Sequence, residues 1–386
     1  MSVFIPQSSL PHLKEYKYQS EDRSVLTKYV LKPFWLKFVN VFPLSMAPNM
    51  VTLSGLLFIV VADLLSLWYD PTYEAALPRW LYLLHGLSVF LYQTFDACDG
   101  IHARRTGQSS PLGELFDHCC DSMNTTLMTI QFASVSGMGN GWLIFLTQFS
   151  TLCNFYLSTW EEYHTHKLFL AEISGPVEGL LMISGVFILT ALFGPDFVWK
   201  LELFTIPTTD FVITSTYLSA FAGMIVMGVS IYSARRNVIE TLQNEHREKE
   251  LPGAQRGLIP FFGYYATVFA LLYIHPIIIQ NYTTSMILTI GATMSFCVGR
   301  IITGHLTKQS FPFYNLPMIL PTIQLIALWY LTNISNWNYD ESIQCVIWSG
   351  FSGSIVFYFV FIADIIHGIT NYLDIWALTI KHPKTE

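Results

Sequence analysis

Ten apolar stretches alternate with short polar connections along most of the chain. A helix needs about 20 apolar residues to cross the hydrocarbon of a bilayer. The stretches cover residues 51–69, 80–95, 115–137, 142–160, 176–193, 216–234, 258–279, 284–305, 316–333 and 343–366. The second, fifth and ninth are short, so tilting, merger or partial re-entry stays open for them. Ahead of the first, residues 24–44 mix Lys28, Lys32 and Lys37 with Val30, Leu31, Phe34, Trp35 and Phe38, the pattern of helices lying in the membrane interface, and Pro33 is expected to interrupt them. The expected fold class is an all-α integral membrane protein with about ten transmembrane helices and N-terminal interfacial helices.

The basic residues test this count independently, because Lys and Arg collect in short loops on the cytoplasmic side. Placing alternate connections on one side puts 18 of the 20 basic residues there and leaves only Arg79 and Lys200 on the other. Both termini are therefore expected in the cytosol, together with the connection that holds Arg104 and Arg105. The organisation that follows is an N-terminal interfacial segment 1–47, a first helical group 48–234, a cytosolic linker 235–257, further helices 258–370 and a tail 371–386.

Composition sharpens the picture without changing it. Hydrophobic residues make up 52% of the 386 positions and charged ones 12%, about half the charged share of a soluble domain. The net charge of −7 says little about partners in a bilayer protein, and no basic cluster resembles a nucleic-acid footprint. Six cysteines form no CxxC pair, so neither a zinc site nor a disulfide framework is expected. The polar stretch 237–255 reads as a solvated linker. Arg300 lies near the end of the eighth stretch with no partner that the sequence identifies.

Four carboxylates interrupt the apolar pattern where a membrane protein tolerates them least. Asp96 and Asp99 are spaced i, i+3 at the end of the second stretch, and Gly113, Asp117 and Asp121 are spaced i, i+4, i+8 at the start of the third. Such spacings put side chains on one helical face, and at 1.5 Å per residue Asp121 lies about 12 Å further along its helix than Gly113. Acids at that depth are functional by default. Oxygen ligands at this density suit hard cations, Mg2+ first and Mn2+ as the alternative, and a pair of such ions stabilises the attacking and leaving oxygens of a phosphoryl transfer. Gly100, Ala103 and Gly113 leave room for a phosphate or ribose near the backbone, and Arg104 supplies a fixed positive charge suited to a pyrophosphate.

The run Asp96-x2-Asp99-Gly100-x2-Ala103-Arg104-x8-Gly113-x3-Asp117-x3-Asp121 is the signature of the CDP-alcohol phosphotransferases, and on it the chain is identified as a member of that family. The resemblance extends further. Phe4-Ile-Pro-Gln, Tyr16-Lys-Tyr-Gln-Ser-Glu-Asp-Arg, Leu91-Tyr-Gln-Thr-Phe, Pro111-Leu-Gly-Glu-Leu-Phe-Asp-His118, Ser158-Thr-Trp-Glu-Glu-Tyr-His-Thr-His166 and Ile380-Lys-His-Pro-Lys384 look like the branch that uses CDP-choline or CDP-ethanolamine. Ten spans also fit that branch better than the shorter members that consume CDP-diacylglycerol. The resemblance implies that the 3-hydroxyl of diacylglycerol attacks the β-phosphate of the CDP-alcohol, forming phosphatidylcholine or phosphatidylethanolamine and releasing CMP. It also implies a homodimer in the endoplasmic reticulum, with the Golgi as the alternative. By position, Asp96, Asp99 and Asp117 stand as metal ligands, and Asp121 as a ligand or the general base. Pro48-Asn49-Met-Val-Thr52 matches the family's entry to the first span, which puts Asn49 and Thr52 on CDP with Asp96, Gly100, Ala103, Arg104 and Gly113.

The base stays open between Asp121 and His118. An aspartate against two cations is a poor proton acceptor, whereas a histidine titrates near working pH. Glu178 stands where it either orients such a histidine or meets the head group. Tyr92, Phe95, Trp160 and Tyr163 are candidates to hold a quaternary ammonium. Glu114, Glu161, Glu162 and His164 lie near enough in sequence to support the site from behind. Two rival readings remain: a CDP-diacylglycerol-using synthase, and a transporter whose acids line an ion path.

Overall fold

Proline and glycine punctuate the long helices where the backbone requires them. Pro48 and Pro111 stand in first turns, where the missing N–H costs nothing. Gly107 and Gly137 follow two C-termini with φ of 70° and 67°, the left-handed conformation that closes a helix. The computed structural model describes residues 2–15, 20–22, 26–170, 176–207 and 211–383. The family-like stretch 16–23 lies mostly outside the described residues, as does Lys384.

Ten long helices carry the described chain: α1 Pro48–Tyr69, α2 Arg79–Thr106, α3 Pro111–Ser136, α4 Trp142–Thr165, α5 Pro176–Phe193, α6 Ser215–Asn244, α7 Ile259–Ile274, α8 Thr283–Leu306, α9 Leu320–Asn333 and α10 Tyr339–Leu373. Six helical segments are long and apolar enough to cross a membrane: Pro48–Tyr69, Ser215–Asn244, Glu248–Ile274, Thr283–Leu306, Leu316–Asn333 and Tyr339–Leu373. The count stops short of ten for a physical reason. The segments α2, α3 and α4 are long, but they carry acids, histidines and amides along their length, and α5 offers only the shorter apolar helix Val177–Phe193. The protein is thus helical with six candidate spans, and the helices that fall outside that set include those bearing the acidic signature.

Helix α8 is the axis of one half of the molecule. Of its 24 residues 20 are buried, and α3, α4 and α10 pack on it. Small residues permit the approach. A Cβ on Gly291 would penetrate Thr126 of α3, and one on Gly299 would lie 2.6 Å from the Phe361 ring of α10. In the other half α1 packs between α2 and α3, and α5 lies along α2. The N-terminal segment packs on α8 and α10: the Asp364 carboxylate accepts from Ser2 Oγ at 2.5 Å and from the Val3 and Phe4 amides. The Phe4 ring meets Phe296 and Phe361 edge-on and carries Arg300 at 5.6 Å, which supplies the partner the sequence could not name.

Two expectations are refined. Pro33 does not interrupt the interfacial segment. It sits in the first turn of helix Lys32–Phe38, which continues a π-helical turn Thr27–Leu31, and Leu31, Trp35 and Val39 bury one face while Lys28, Lys32 and Lys37 stay exposed. The all-α class holds, and two short strand pairings lie beside the helices: Ser20–Asp22 pairs in parallel with Leu168–Leu170, and Glu202–Ile206 pairs antiparallel with Phe211–Thr214. The linker is folded onto the core. α6 runs on to Asn244 with Val238 and Leu242 buried, Asn237 Nδ2 donates to Glu161 at 2.6 Å, and Trp160 Nε1 donates to the Ala254 carbonyl at 2.8 Å. Arg247 pairs there with Glu245 and Glu250.

The α3–α8 contact yields a stability test. Gly291→Ala forces two helix backbones apart and is expected to destabilise by about 1–3 kcal/mol. Thermal unfolding of the detergent-solubilised protein should drop by a few degrees, and an unchanged transition would show that the close approach is dispensable.

Candidate active site

Helix geometry places the acids in pairs. Asp96 and Asp99 lie one turn apart near the end of α2, and Asp117 and Asp121 lie one turn apart in the first half of α3. One carboxylate oxygen from each of Asp96, Asp99 and Asp117 falls within 4.8 Å of the others. Two of the four acids are secured by neutral donors: buried Thr52 of α1 donates its hydroxyl to Asp99, and buried Tyr92 of α2 donates its phenol to Asp121. Asp96 Oδ1 and Asp117 Oδ1 are buried with no hydrogen-bond partner. Carboxylate oxygens gathered in this way are costly without a positive charge, and an all-oxygen donor set is the kind that holds a hard divalent ion. The residues present therefore fit a divalent metal.

The four acids line a cavity of about 2170 Å³. At its acidic end stand Gly100, Ala103, the exposed Arg104 and Gly113. A side chain at position 100 would approach the Arg104 guanidinium at 3.6 Å, and one at 113 would approach Asn49 Oδ1 at 3.9 Å, so both glycines keep open the surface beside a cation and an amide oxygen. Asn49 lines the cavity and donates its Nδ2 to the Ala377 carbonyl at 2.9 Å. Thr52 behaves differently, since its hydroxyl is spent on Asp99. Away from the acids the wall turns apolar, with Met128, Phe132, Phe155, Leu180, Ile183 and Val226 drawn from α3, α4, α5 and α6.

His118 is buried beside the acids, with each ring nitrogen engaged. Nδ1 lies 3.0 Å from the Glu114 carbonyl one turn earlier and Nε2 lies 3.2 Å from Glu162 Oε2 of α4. Glu162 also belongs with Glu114 and His305 to a group whose ligand-capable atoms lie within 4.8 Å of one another. Glu178 is half-buried in the first turn of α5, between the cavity-lining Val177 and Gly179. The carboxylate hydrogen-bonded to His118 is that of Glu162.

Of the four aromatic residues considered for a quaternary ammonium, only Tyr92 lines this cavity, and its phenol is committed to Asp121. Phe95 packs against Phe38, Phe42 and Phe58, Trp160 is held by Ala254, and Tyr163 donates to the Gln309 carbonyl. Among the described residues these four form no aromatic box. Two roles escaped the sequence reading. The role of Tyr92 depends on how α2 meets α3, and its only local signal is its place one turn before Asp96. The approach of Ala377 to Asn49 joins residues 328 positions apart, and no local pattern announces it.

Comparison with known proteins agrees with this geometry. Residues 45–210 match the model of the CDP-alcohol phosphatidyltransferase family. The chain is 46% identical over 396 residues to Cholinephosphotransferase 1 of Saccharomyces cerevisiae and 48% identical over 394 residues to Choline/ethanolaminephosphotransferase 1 of the same yeast, with all of both chains covered in each case. It is 35% identical over 407 residues to Choline/ethanolaminephosphotransferase 1 of Arabidopsis thaliana, covering 99% of each. With full-length identity at this level and the complete acidic signature lining one cavity, this chain belongs to the CDP-alcohol phosphatidyltransferase family.

Proposed function

We propose that the protein transfers phosphocholine or phosphoethanolamine from the CDP-alcohol to the 3-hydroxyl of diacylglycerol, forming phosphatidylcholine or phosphatidylethanolamine and CMP. One observation carries the reading: a single cavity joins the acid cluster to an apolar wall drawn from four helices. A soluble nucleotide and an oily alcohol need such a junction to meet. The family depends on a divalent metal, and Asp96, Asp99 and Asp117, with Asp121, are the residues that would hold it. When bound, such ions, taken here as Mg2+, neutralise the diphosphate and the charge that develops on the leaving CMP.

The chain's own residues supply the rest. Arg104 offers its guanidinium to the diphosphate at the cavity mouth. Asn49 turns Oδ1 toward the space left by Gly113, where it can accept from the nucleotide. In the reaction the acceptor oxygen forms a bond to the β-phosphorus, the bond from that phosphorus to the oxygen of CMP breaks, and the hydroxyl proton passes to a base. We assign the base to His118. In the neutral ring Nδ1–H donates to the Glu114 carbonyl and Nε2 carries the lone pair, and its 3.2 Å contact with Glu162 Oε2 is a hydrogen bond only once Nε2 has gained the proton, when the carboxylate pairs with the imidazolium. Asp121, grouped with the other acids and held by Tyr92, then serves the metal, and Glu178 is kept for the amino-alcohol head group.

Several wider features belong to the same proposal. Helices α2 to α5 cross the bilayer with the six more apolar segments, supported by the 18-to-2 division of basic residues. The acidic mouth faces the cytosol from the endoplasmic reticulum membrane, residues 48–234 carry the chemistry, residues 258–370 serve acceptor access or dimer formation, and the enzyme works as a homodimer.

Purified protein supplied with diacylglycerol should release CMP from both CDP-choline and CDP-ethanolamine, and release from CDP-diacylglycerol alone would replace this reading with a synthase that uses a soluble acceptor. Chelation should abolish turnover and added Mg2+ restore it. Asp117→Asn should lower kcat by at least about 10³-fold, from the scale of lost electrostatic stabilisation; full CMP release by this variant would remove the acid cluster from the chemistry. His118→Ala should lower kcat by about 10²–10⁴-fold with the donor KM little changed. Glu162→Gln should lower kcat less and narrow the pH range of activity. Near-normal turnover of His118→Ala would return the base to Asp121.

A further inference from the structure

After α10 the chain turns back across the mouth of the cavity. Asp374 makes that turn in the left-handed conformation with φ 56°, and residues 375–382 then run alongside the start of α1 and the end of α2. Ile375, Trp376, Ala377, Thr379 and His382 line the same cavity as Asn49, Gly100 and Arg104. Three contacts dock the segment on the acidic end. Thr379 forms an isolated antiparallel bridge with Met46, the Ala377 carbonyl accepts from Asn49 Nδ2 at 2.9 Å, and the His382 carbonyl accepts from Gln108 Nε2 at 2.9 Å. Asp374 closes the loop on itself through Lys381 and through His382 Nε2 at 3.0 Å, and the Lys381 contact holds its carboxyl below the ordinary range.

The Ala377 contact decides which way the Asn49 amide points. A carbonyl oxygen can only accept, so the NH2 of Asn49 must face Ala377 and Oδ1 must face the opening beside Gly113. Without that carbonyl the amide is free to turn over and present a donor instead. Trp376 stays 57% exposed while lining the cavity. A large apolar ring left open at a polar mouth is a surface on which a nucleobase can stack.

We infer that residues 375–382 are a wall of the donor-nucleotide subsite: they orient the Asn49 amide so that its oxygen accepts from the cytidine moiety, and they close the mouth over the diphosphate beside Arg104. This rests on the CDP-alcohol reading above and adds a recognition element far from the acidic signature. Its chemistry selects a ligand carrying an aromatic base and a hydrogen-bond donor at the Asn49 end and an anion at the Arg104 end. The lipid acceptor makes no use of it, so donor and acceptor should respond differently when the wall is undocked.

Steady-state kinetics of the full-length enzyme provide the test, with CDP-choline and diacylglycerol varied separately and CMP used as a product inhibitor. Gln108→Ala removes the outer anchor, Thr379→Pro perturbs the backbone at the Met46 bridge, and a chain ending at Asp374 removes the wall. Each should raise the donor KM and the CMP inhibition constant together, roughly tenfold for the shortened chain given the worth of a directed hydrogen bond plus a stacking surface. The diacylglycerol KM should stay within about twofold, a margin far smaller than the tenfold step of 1.4 kcal/mol. Trp376→Ala should raise the CMP inhibition constant without moving the thermal unfolding transition. If the shortened chain fails to fold, the three point variants decide alone. An unchanged donor KM and CMP constant, or donor and acceptor KM rising in parallel, would overturn the inference while leaving the transferase reading intact. Absence of CMP release from either CDP-alcohol by the unaltered protein would instead remove the reading on which it rests.

Discussion

Four carboxylates in a mainly apolar helical body set the terms for everything around them. Gathering Asp96, Asp99, Asp117 and Asp121 at one end of two helices is electrostatically unfavourable until a cation or a donor answers each. The chain answers some of that demand itself, through the hydroxyls of Thr52 and Tyr92. It leaves Oδ1 of Asp96 and Oδ1 of Asp117 without a partner. That uneven satisfaction separates a structural network, which would pair every acid, from a site built to hold a charged ligand.

The two halves of the molecule divide the work. Around α8, glycines and small buried side chains give close helix contacts, a backing that α3 and α4 share with the site. On the other side α5 and α6 leave space, and their inward residues form the apolar wall. His118 stands at the join, with Glu114 from its own helix and Glu162 from α4 as partners. A cavity with one acidic end and one apolar flank suits substrates of opposite solubility.

The polar segments outside the helices contribute more than solubility. The expected linker is stapled to α4 through Trp160, Tyr156 and Asn237, because Val238 and Leu242 continue the apolar stripe of α6 beyond its apolar stretch. The chain end approaches Asn49 and shares the cavity mouth. In both cases charge density read from sequence suggested solvation, while a few apolar or backbone groups at the right spacing determined the packing.

Helical character, the pairing of the four acids on two helices and the family were legible in the residues alone, because helix periodicity, apolar length and the Asp96-to-Asp121 spacing are local properties of the chain. The structure had to decide what depends on approach between distant segments. That Thr52 serves Asp99, that Tyr92 serves Asp121, that Glu162 meets His118 and that Ala377 meets Asn49 each require two elements brought together by packing. A one-dimensional pattern records which face of a helix a side chain occupies. It does not record what stands opposite, and in this protein the groups standing opposite the acids, the histidine and the asparagine are what turn a signature into a site.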